Sequence, residues 1–416
     1  MAVTGKQSMN SLFKRTLQIS FLLITISSVQ QWTKIPIGNT TIWWCIQAII
    51  LYCFIKMRPA GYNIKIINIF LFYLCISALY GATLMAHSYW DWKLLVNNLL
   101  IFSLALSSYT FSNPITLSKV QSIWYKYCWV IIIPLMPFLE SDAFGRIFVP
   151  FTFLSLFLPL LNKKYILIII VTYLITITYG SDSRSDMIKY TICILLGIFL
   201  YIQNKKLNFL RKLYKPIFLA LLVTPFIFFI LGVTHAFNIF RIEEELGIKD
   251  KYTFKSHESE NEYSALTDTR TFLYVEQITS AIKHDYLLLG HSIARGHEST
   301  AFGSTSKSDS NGLGERASCE VSILNIFNYF GVIGVIIYFL IFFQASYKAI
   351  FKTNNSYLPI IGIYIAFRWN FSWIEDFSKF DLNYLFLWIM IGICYSPIYR
   401  QMNNQQFALW IKNIIH

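Results

Sequence analysis

The sequence predicts an all-α polytopic membrane protein, and three observations carry that reading. Of 416 residues, 55% are hydrophobic and only 14% are charged, against about 25% charge in an ordinary soluble domain. Apolar stretches of roughly 17–22 residues recur along the chain, each long enough to cross a hydrocarbon core of about 30 Å. Threading them alternately across a membrane separates the basic residues from the acidic ones. Mean hydropathy is +0.50, and Phe, Tyr and Trp make up 18% of the chain, as interfacial rings would require.

About twelve transmembrane helices follow. The first (16–32) is long and lacks a small-residue cleavage site, so it reads as a retained anchor. The second (40–57) and third (66–86) flank Lys56, Arg58 and Lys65, and the fourth (94–111) and fifth (123–139) flank Lys119. The sixth (147–161) is short, a span or a re-entrant segment. Lys163 and Lys164 separate it from the seventh (165–180). The eighth (187–203) and ninth (216–233) bracket the run from Lys205 to Lys215. The tenth (319–347) is long enough to approach as an interfacial helix before crossing. Lys348 and Lys352 precede the eleventh (357–374), and Arg400 and Lys412 follow the twelfth (382–399).

Short-loop Lys/Arg bias places both termini in the cytoplasm. With that threading all 22 acidic residues fall outside or at the outer face, as do all the histidines but His416. The net charge of +13 is then a topology signal, and nucleic-acid binding is not needed to explain it. The chain divides into transmembrane helices at 1–233, a large extracytoplasmic loop at 234–318, and further transmembrane helices with a cytoplasmic tail at 319–416. The loop holds most of the acids and His235, His257, His284, His291 and His297. Its middle, "TRTFLYVEQITSAIKH", has helical periodicity with Phe272, Val275, Ile278 or Thr279, and Ile282 on one face. Long loops in compact proteins are usually functional or disordered. The seven cysteines are scattered through apolar spans without CxxC spacing, which suggests neither a disulfide framework nor a zinc site. No Walker, GxSxG or HExxH pattern occurs.

Candidate chemistry gathers at the outer face. Arginine presents a planar fork suited to phosphate oxygens, and Arg146, Arg184, Arg241, Arg270, Arg295, Arg316 and Arg368 all fall there. Arg184 sits between Asp182 and Asp186 at the join of two apolar spans: a hydrated turn, or an anion clamp whose aspartates aim the guanidinium. Arg270 opens the loop helix, where an anion also gains from the helix dipole. Arg295 stands among His291, His297 and Glu298. Glu320 begins the tenth span, as a helix cap or, if partly buried, as a general base; His291 is the alternative base. Arg368 lies within the eleventh span, where charge marks a functional site by default, with Glu375 or Asp376 as its partner.

Three stretches together resemble the O-antigen polymerase and O-antigen ligase group of bacterial envelope glycan enzymes. They are "GSDSRSDMI", "TRTFLYVEQITSAIKHDYLLLGHS" and "SCEVSILNIFNYFGVIGVIIYFLIFF", within about Gly180 to Phe343. The resemblance implies a GT-C-like architecture in the bacterial inner membrane and metal-independent, cofactor-free glycosyl transfer at its outer face. Its donor would be an undecaprenyl-diphosphate-linked oligosaccharide, with Arg184 and Arg270 on the diphosphate and Arg295 as a further candidate. Membrane lipid and a chain-length regulator protein are the other implied partners. Many ligases carry a histidine–asparagine pair where this chain has Cys319–Glu320, which favours a polymerase. The alternatives are a ligase acting on lipid A core, a lipid-linked oligosaccharide flippase and a non-enzymatic scaffold.

Overall fold

The structure is a computed structural model that describes residues 2–59, 61–180, 183–204, 208–234, 236–238, 253–255, 262–264, 270–299 and 314–415. It is mostly helical, 76%, with almost no sheet. The helices are α1 (Ala2–Val29), α2 (Thr40–Lys56), α3 (Lys65–Tyr80), α4 (Tyr89–Phe102), α5 (Ser107–Thr110), α6 (Pro114–Leu135), α7 (Ala143–Ile147) and α8 (Val149–Ser155). They continue as α9 (Lys163–Tyr179), α10 (Arg184–Asn204), α11 (Tyr214–Val233), α12 (Thr271–Lys283), α13 (Ser322–Phe351), α14 (Leu358–Phe371), α15 (Leu382–Tyr395), α16 (Pro397–Gln401) and α17 (Asn404–Ile415). Two short antiparallel ribbons pair Thr253–Lys255 (β1) with Glu262–Ser264 (β2), and His297–Glu298 (β3) with Glu315–Arg316 (β4).

The long helices run between two poles. At one pole the α1–α2 turn meets the end of the α6 segment through Lys34 N to Phe138 O and Glu140 N to Trp32 O, both 2.9 Å. The α14–α15 connector joins α1 there through Leu382 N to Ser28 Oγ, 2.8 Å. At the other pole Thr110 Oγ1 donates to Phe54 O, Ser396 Oγ to Ser112 O, and Trp410 Nε1 to Pro114 O. Asp91, Glu140, Asp186, Glu375, Asp376 and Asp381 lie at the first pole, with Glu276, Glu298 and Glu315 in the loop segment packed on it, while Lys56, Arg58, Lys119, Lys348, Lys352 and Arg400 lie toward the second.

Among the described residues, five helices are long and apolar enough to cross a membrane. Counting as one span the bent pair Tyr89–Thr110 and Pro114–Phe138, which meet at 117°, gives six. Thr40–Lys56, Leu358–Phe371 and Leu382–Tyr395 are apolar but shorter. The sixth expected span is not one helix. Pro150 lies in α8, which is buried, and Pro159 in the half-buried 3₁₀ turn Leu158–Leu160, so the stretch is broken. Proline removes a helix donor and clashes with the preceding turn, which explains the interruption.

The loop helix is α12, close to the expected limits, but it turns the other face inward. Leu273, Gln277, Ser280 and Ala281 are buried, while Val275 and Ile282 are 60% and 63% exposed. Hydrogen bonds explain the reversal: Gln277 donates to Leu324 O (2.6 Å), and Ser280 Oγ accepts from Tyr286 OH and Glu298 N. Burial follows the polar side because its partners are there.

Two of the quoted stretches meet. Helix α13 breaks at Gly331 (φ 63°), freeing the N–H groups of Val332 and Ile333, which donate to Leu287 O and Leu288 O of the "LLLG" run (3.0 and 3.3 Å). Gly290 (φ 81°) faces the break, and a Cβ on it would lie 2.4 Å from Phe330 N. Only glycine tolerates both the backbone angle and the approach. The loop is thereby seated in the notch of a bent helix.

Candidate functional site

The α14–α15 connector, Ser372–Asp381, is the hub of the acidic pole. Arg270 Nε donates to Ile374 O (2.7 Å) and Tyr274 OH to Trp373 O (2.6 Å), which bind the loop helix to it. Helix α13 starts on it through Ser322 N to Glu375 O (3.1 Å) and the Ser322–Ser378 hydroxyl pair (2.8 Å). Helix α10 reaches it through Lys189 Nζ to Glu375 Oε1 (2.8 Å). Helix α7 reaches it through Arg146 Nη1 to Asp381 Oδ2 (3.1 Å).

These contacts enclose a cluster of buried charges. Lys189 lies between Asp186 and Glu375, and Ser183 Oγ donates to the second oxygen of Asp186 (2.9 Å). Gly145 makes room: a Cβ there would lie 2.2 Å from Asp186 Cβ, so any larger residue would push α7 and α10 apart. Arg368, 1% exposed, donates to Asn383 Oδ1 (2.8 Å) and lies 4.3 Å from the Phe377 ring centroid. Three cations (Arg146, Lys189, Arg368) match three carboxylates (Asp186, Glu375, Asp381). Removing one member of such a set leaves an uncompensated charge in a low-dielectric interior, at a cost of about 3–5 kcal/mol.

Next to this cluster lies a cavity of about 260 Å³ whose lining includes Arg146, Lys379, Asp376 and Asp381. Its walls carry the amides of Gln30, Gln31, Gln47, Asn97 and Asn98 and the ring of Trp32. The Arg146 guanidinium and the Lys379 ammonium lie 5.2 and 5.5 Å from the Trp32 ring centroid. A second cavity of about 340 Å³ is walled by Trp44, Trp90, Asp91, Lys93 and Glu315. Gln31, Leu94 and Asn97 line both, so the two cavities adjoin, the first as the inner lobe and the second as the outer lobe of a cleft. Indole faces, amides and paired charges are the groups that receive a polyhydroxylated ligand with an anionic end: rings cover C–H faces, amides exchange hydrogen bonds with hydroxyls, and cations meet phosphate.

The residues singled out from sequence fall into three positions. Asp186 and Arg368 belong to the buried cluster. Asp186 is held by Lys189 and Ser183, and Arg368 takes Asn383 rather than a carboxylate as its hydrogen-bonding partner. Arg184 is exposed at the start of α10 and Arg270 is anchored on the hub; Asp182 and Arg241 lie outside the described residues. Arg295, His291 and Glu320 are not among the residues lining the two lobes.

Arg295 clasps both oxygens of Glu315, with Nε to Oε2 at 2.9 Å. His291 stacks on Tyr286 at 4.5 Å, and its Nδ1 lies 2.8 Å from Gly296 O, so that nitrogen carries the proton. Burial lowers the pKa of His291, keeping it neutral. Glu320 is not the partly buried carboxylate the sequence allowed: its side chain is 57% exposed and paired with Arg316. The buried neighbour is Cys319, whose Sγ lies 3.5 Å from Val321 O. Among the described residues no three His, Cys, Asp or Glu gather as metal ligands would.

Sequence reasoning missed Trp32, Lys379 and the amides of the cleft, and placed Arg146 at the outer face without a role. One signal was available: the hub packs Glu375, Asp376, Lys379 and Asp381 into seven residues between two apolar helices. No protein-family model matches the chain, and no curated protein or solved structure matches it.

Proposed function

We propose that the protein is a membrane glycosyltransferase of the O-antigen polymerase kind, transferring undecaprenyl-diphosphate-linked oligosaccharide onto another repeat unit. The cleft is the observation that carries this reading: a sugar-compatible wall of indoles and amides ends on the cations Arg146 and Lys379. The diphosphate would sit at those cations and the glycan along Trp32, Trp44 and Trp90. Transfer breaks the bond from the anomeric carbon to the diphosphate, and fixed cations aimed at the developing charge lower the barrier. Arg270, anchored on the hub, would add positive charge along the donor's route, as would Arg184 at the exposed start of α10.

In this reading the acidic pole faces outward from the bacterial inner membrane and the basic pole faces the cytoplasm, by the positive-inside rule. With the bent pair taken as two spans, the shorter helices α2, α9, α14 and α15 and the broken α7–α8 stretch would complete a twelve-span, GT-C-like body. A flippase would hold its ligand near the midplane between two related halves. Here the polar groups crowd one pole, which favours transfer chemistry.

The test is a gel of surface glycolipid from cells lacking the protein. A polymerase leaves lipid A core bearing a single repeat unit and no ladder. Bare core alone would replace this reading with a ligase or a flippase, and the leaflet on which lipid-linked repeats accumulate would tell those two apart.

A further inference from the structure

Four carboxylates line the two lobes: Asp91, Glu315, Asp376 and Asp381. Asp381 is committed on both oxygens, to Arg146 and to Tyr384 N, where it caps α15. Glu315 is clasped on both oxygens by Arg295. Asp91 accepts the N–H groups of His87 and Ser88 and closes the capping box of α4. Asp376 is different. One oxygen accepts Ser378 N (2.9 Å) in a local turn that fixes the side chain, and among the described residues it has no ion-pair partner.

Two other polar groups of the same cavity are spent on backbone: Tyr329 OH donates to Ala317 O (2.6 Å), and the Asn325 amide donates to Cys319 O and accepts its N–H (2.9 Å each). A carboxylate offers about four lone-pair sites, so Asp376 is oriented, half-buried and still able to accept from a ligand.

We infer that Asp376 is the general base of the inner lobe, accepting the proton of the acceptor hydroxyl. The step balances without a co-reactant. The hydroxyl proton passes to Asp376 as the acceptor oxygen bonds to the anomeric carbon. The bond from that carbon to the diphosphate breaks, and its electron pair leaves on the phosphate oxygen at Arg146 and Lys379. This inference rests on the glycosyl-transfer reading and moves the base from Glu320 or His291 to the hub.

The test uses the full chain in nanodiscs with two readouts. One is binding of undecaprenyl diphosphate; the other is elongation of lipid-linked repeat extracted from cells lacking the protein. Asp376→Asn should lower elongation by about 100-fold or more, the span of a lost general base, and leave undecaprenyl diphosphate binding unchanged. Asp376→Glu should restore most of the elongation. Wild-type elongation by Asp376→Asn overturns the assignment. Parallel loss of binding and elongation overturns it too, by making Asp376 a structural or binding residue. A wild-type protein that neither binds undecaprenyl diphosphate nor elongates the extracted lipid overturns the underlying reading instead, and the base with it.

Discussion

Arg146 and Arg295 stand at the same pole, and each holds a carboxylate, yet the two pairs do opposite things. Arg295 and Glu315 close a clasp beside the two-residue ribbon β3–β4, so the guanidinium is spent on the loop's own architecture. Arg146 uses one nitrogen on Asp381 and turns its plane toward Trp32 in the lining of the cleft. The difference teaches that an outer-face arginine is a ligand candidate only when packing leaves part of its fork facing a cavity. Position in the sequence does not decide that.

The sharpest way to break the comparison is to remove each arginine in turn. Arg146→Gln is expected to cut glycan elongation by about 100- to 1,000-fold, the usual cost of losing one donor to a developing oxyanion. It also strips Asp381 of its counter-charge, so the Arg146→Gln/Asp381→Asn double variant is the control. That variant should recover thermal stability in detergent without recovering the glycan ladder.

In the neighbouring cluster, Lys189→Met leaves Asp186 and Glu375 facing each other unpaired. Unfolding in denaturant should show a loss of about 3–5 kcal/mol, while a wild-type midpoint would mean the cluster is hydrated. Trp32→Ala removes the ring beside both cations. Undecaprenyl diphosphate binding should weaken about tenfold, the worth of a partly desolvated cation–π contact.

On the loop side the expected effects are smaller and structural. Burial is the main cause that pushes the pKa of His297 down to about 4, with Arg316 adding to it, against 6.5 for the unhindered imidazole. The unfolded chain therefore binds the proton first as pH falls. The stability His297 confers is full above about pH 6.5 and drains as pH approaches 4. Hydrogen-exchange protection factors at the β3–β4 ribbon should fall across that window, and His297→Gln should remove the dependence. Arg295→Gln should loosen the same ribbon yet leave the ladder's length distribution nearly as in wild type.

The separation of acids from bases was legible in the sequence because it is a one-dimensional pattern of loops. So was the loop helix, from its 3.6-residue period. Its buried face was not, because Gln277 and Ser280 find partners that only folding supplies. The sixth span was misleading for a local reason, two prolines in an apolar run. Arg368 was legible as a costly charge within a span, but its partner Asn383 comes from packing, and Asp186, expected to aim Arg184, is instead held by Lys189 and Ser183. The cleft was not legible at all: Trp32, Arg146 and Asp376 are hundreds of residues apart at the extremes, and only folding brings them to one cavity, with Trp90 in the adjoining one.

If the protein transfers glycan from a diphosphate donor, that diphosphate is expected at Arg146 and Lys379, not at the Arg295 clasp. Undecaprenyl diphosphate binding to nanodisc-embedded protein measures it directly, with the three variants side by side. Arg146→Gln and Lys379→Gln should each lose most of the affinity while Arg295→Gln binds like wild type. Retained affinity in the first two, with loss in Arg295→Gln, would contradict the account.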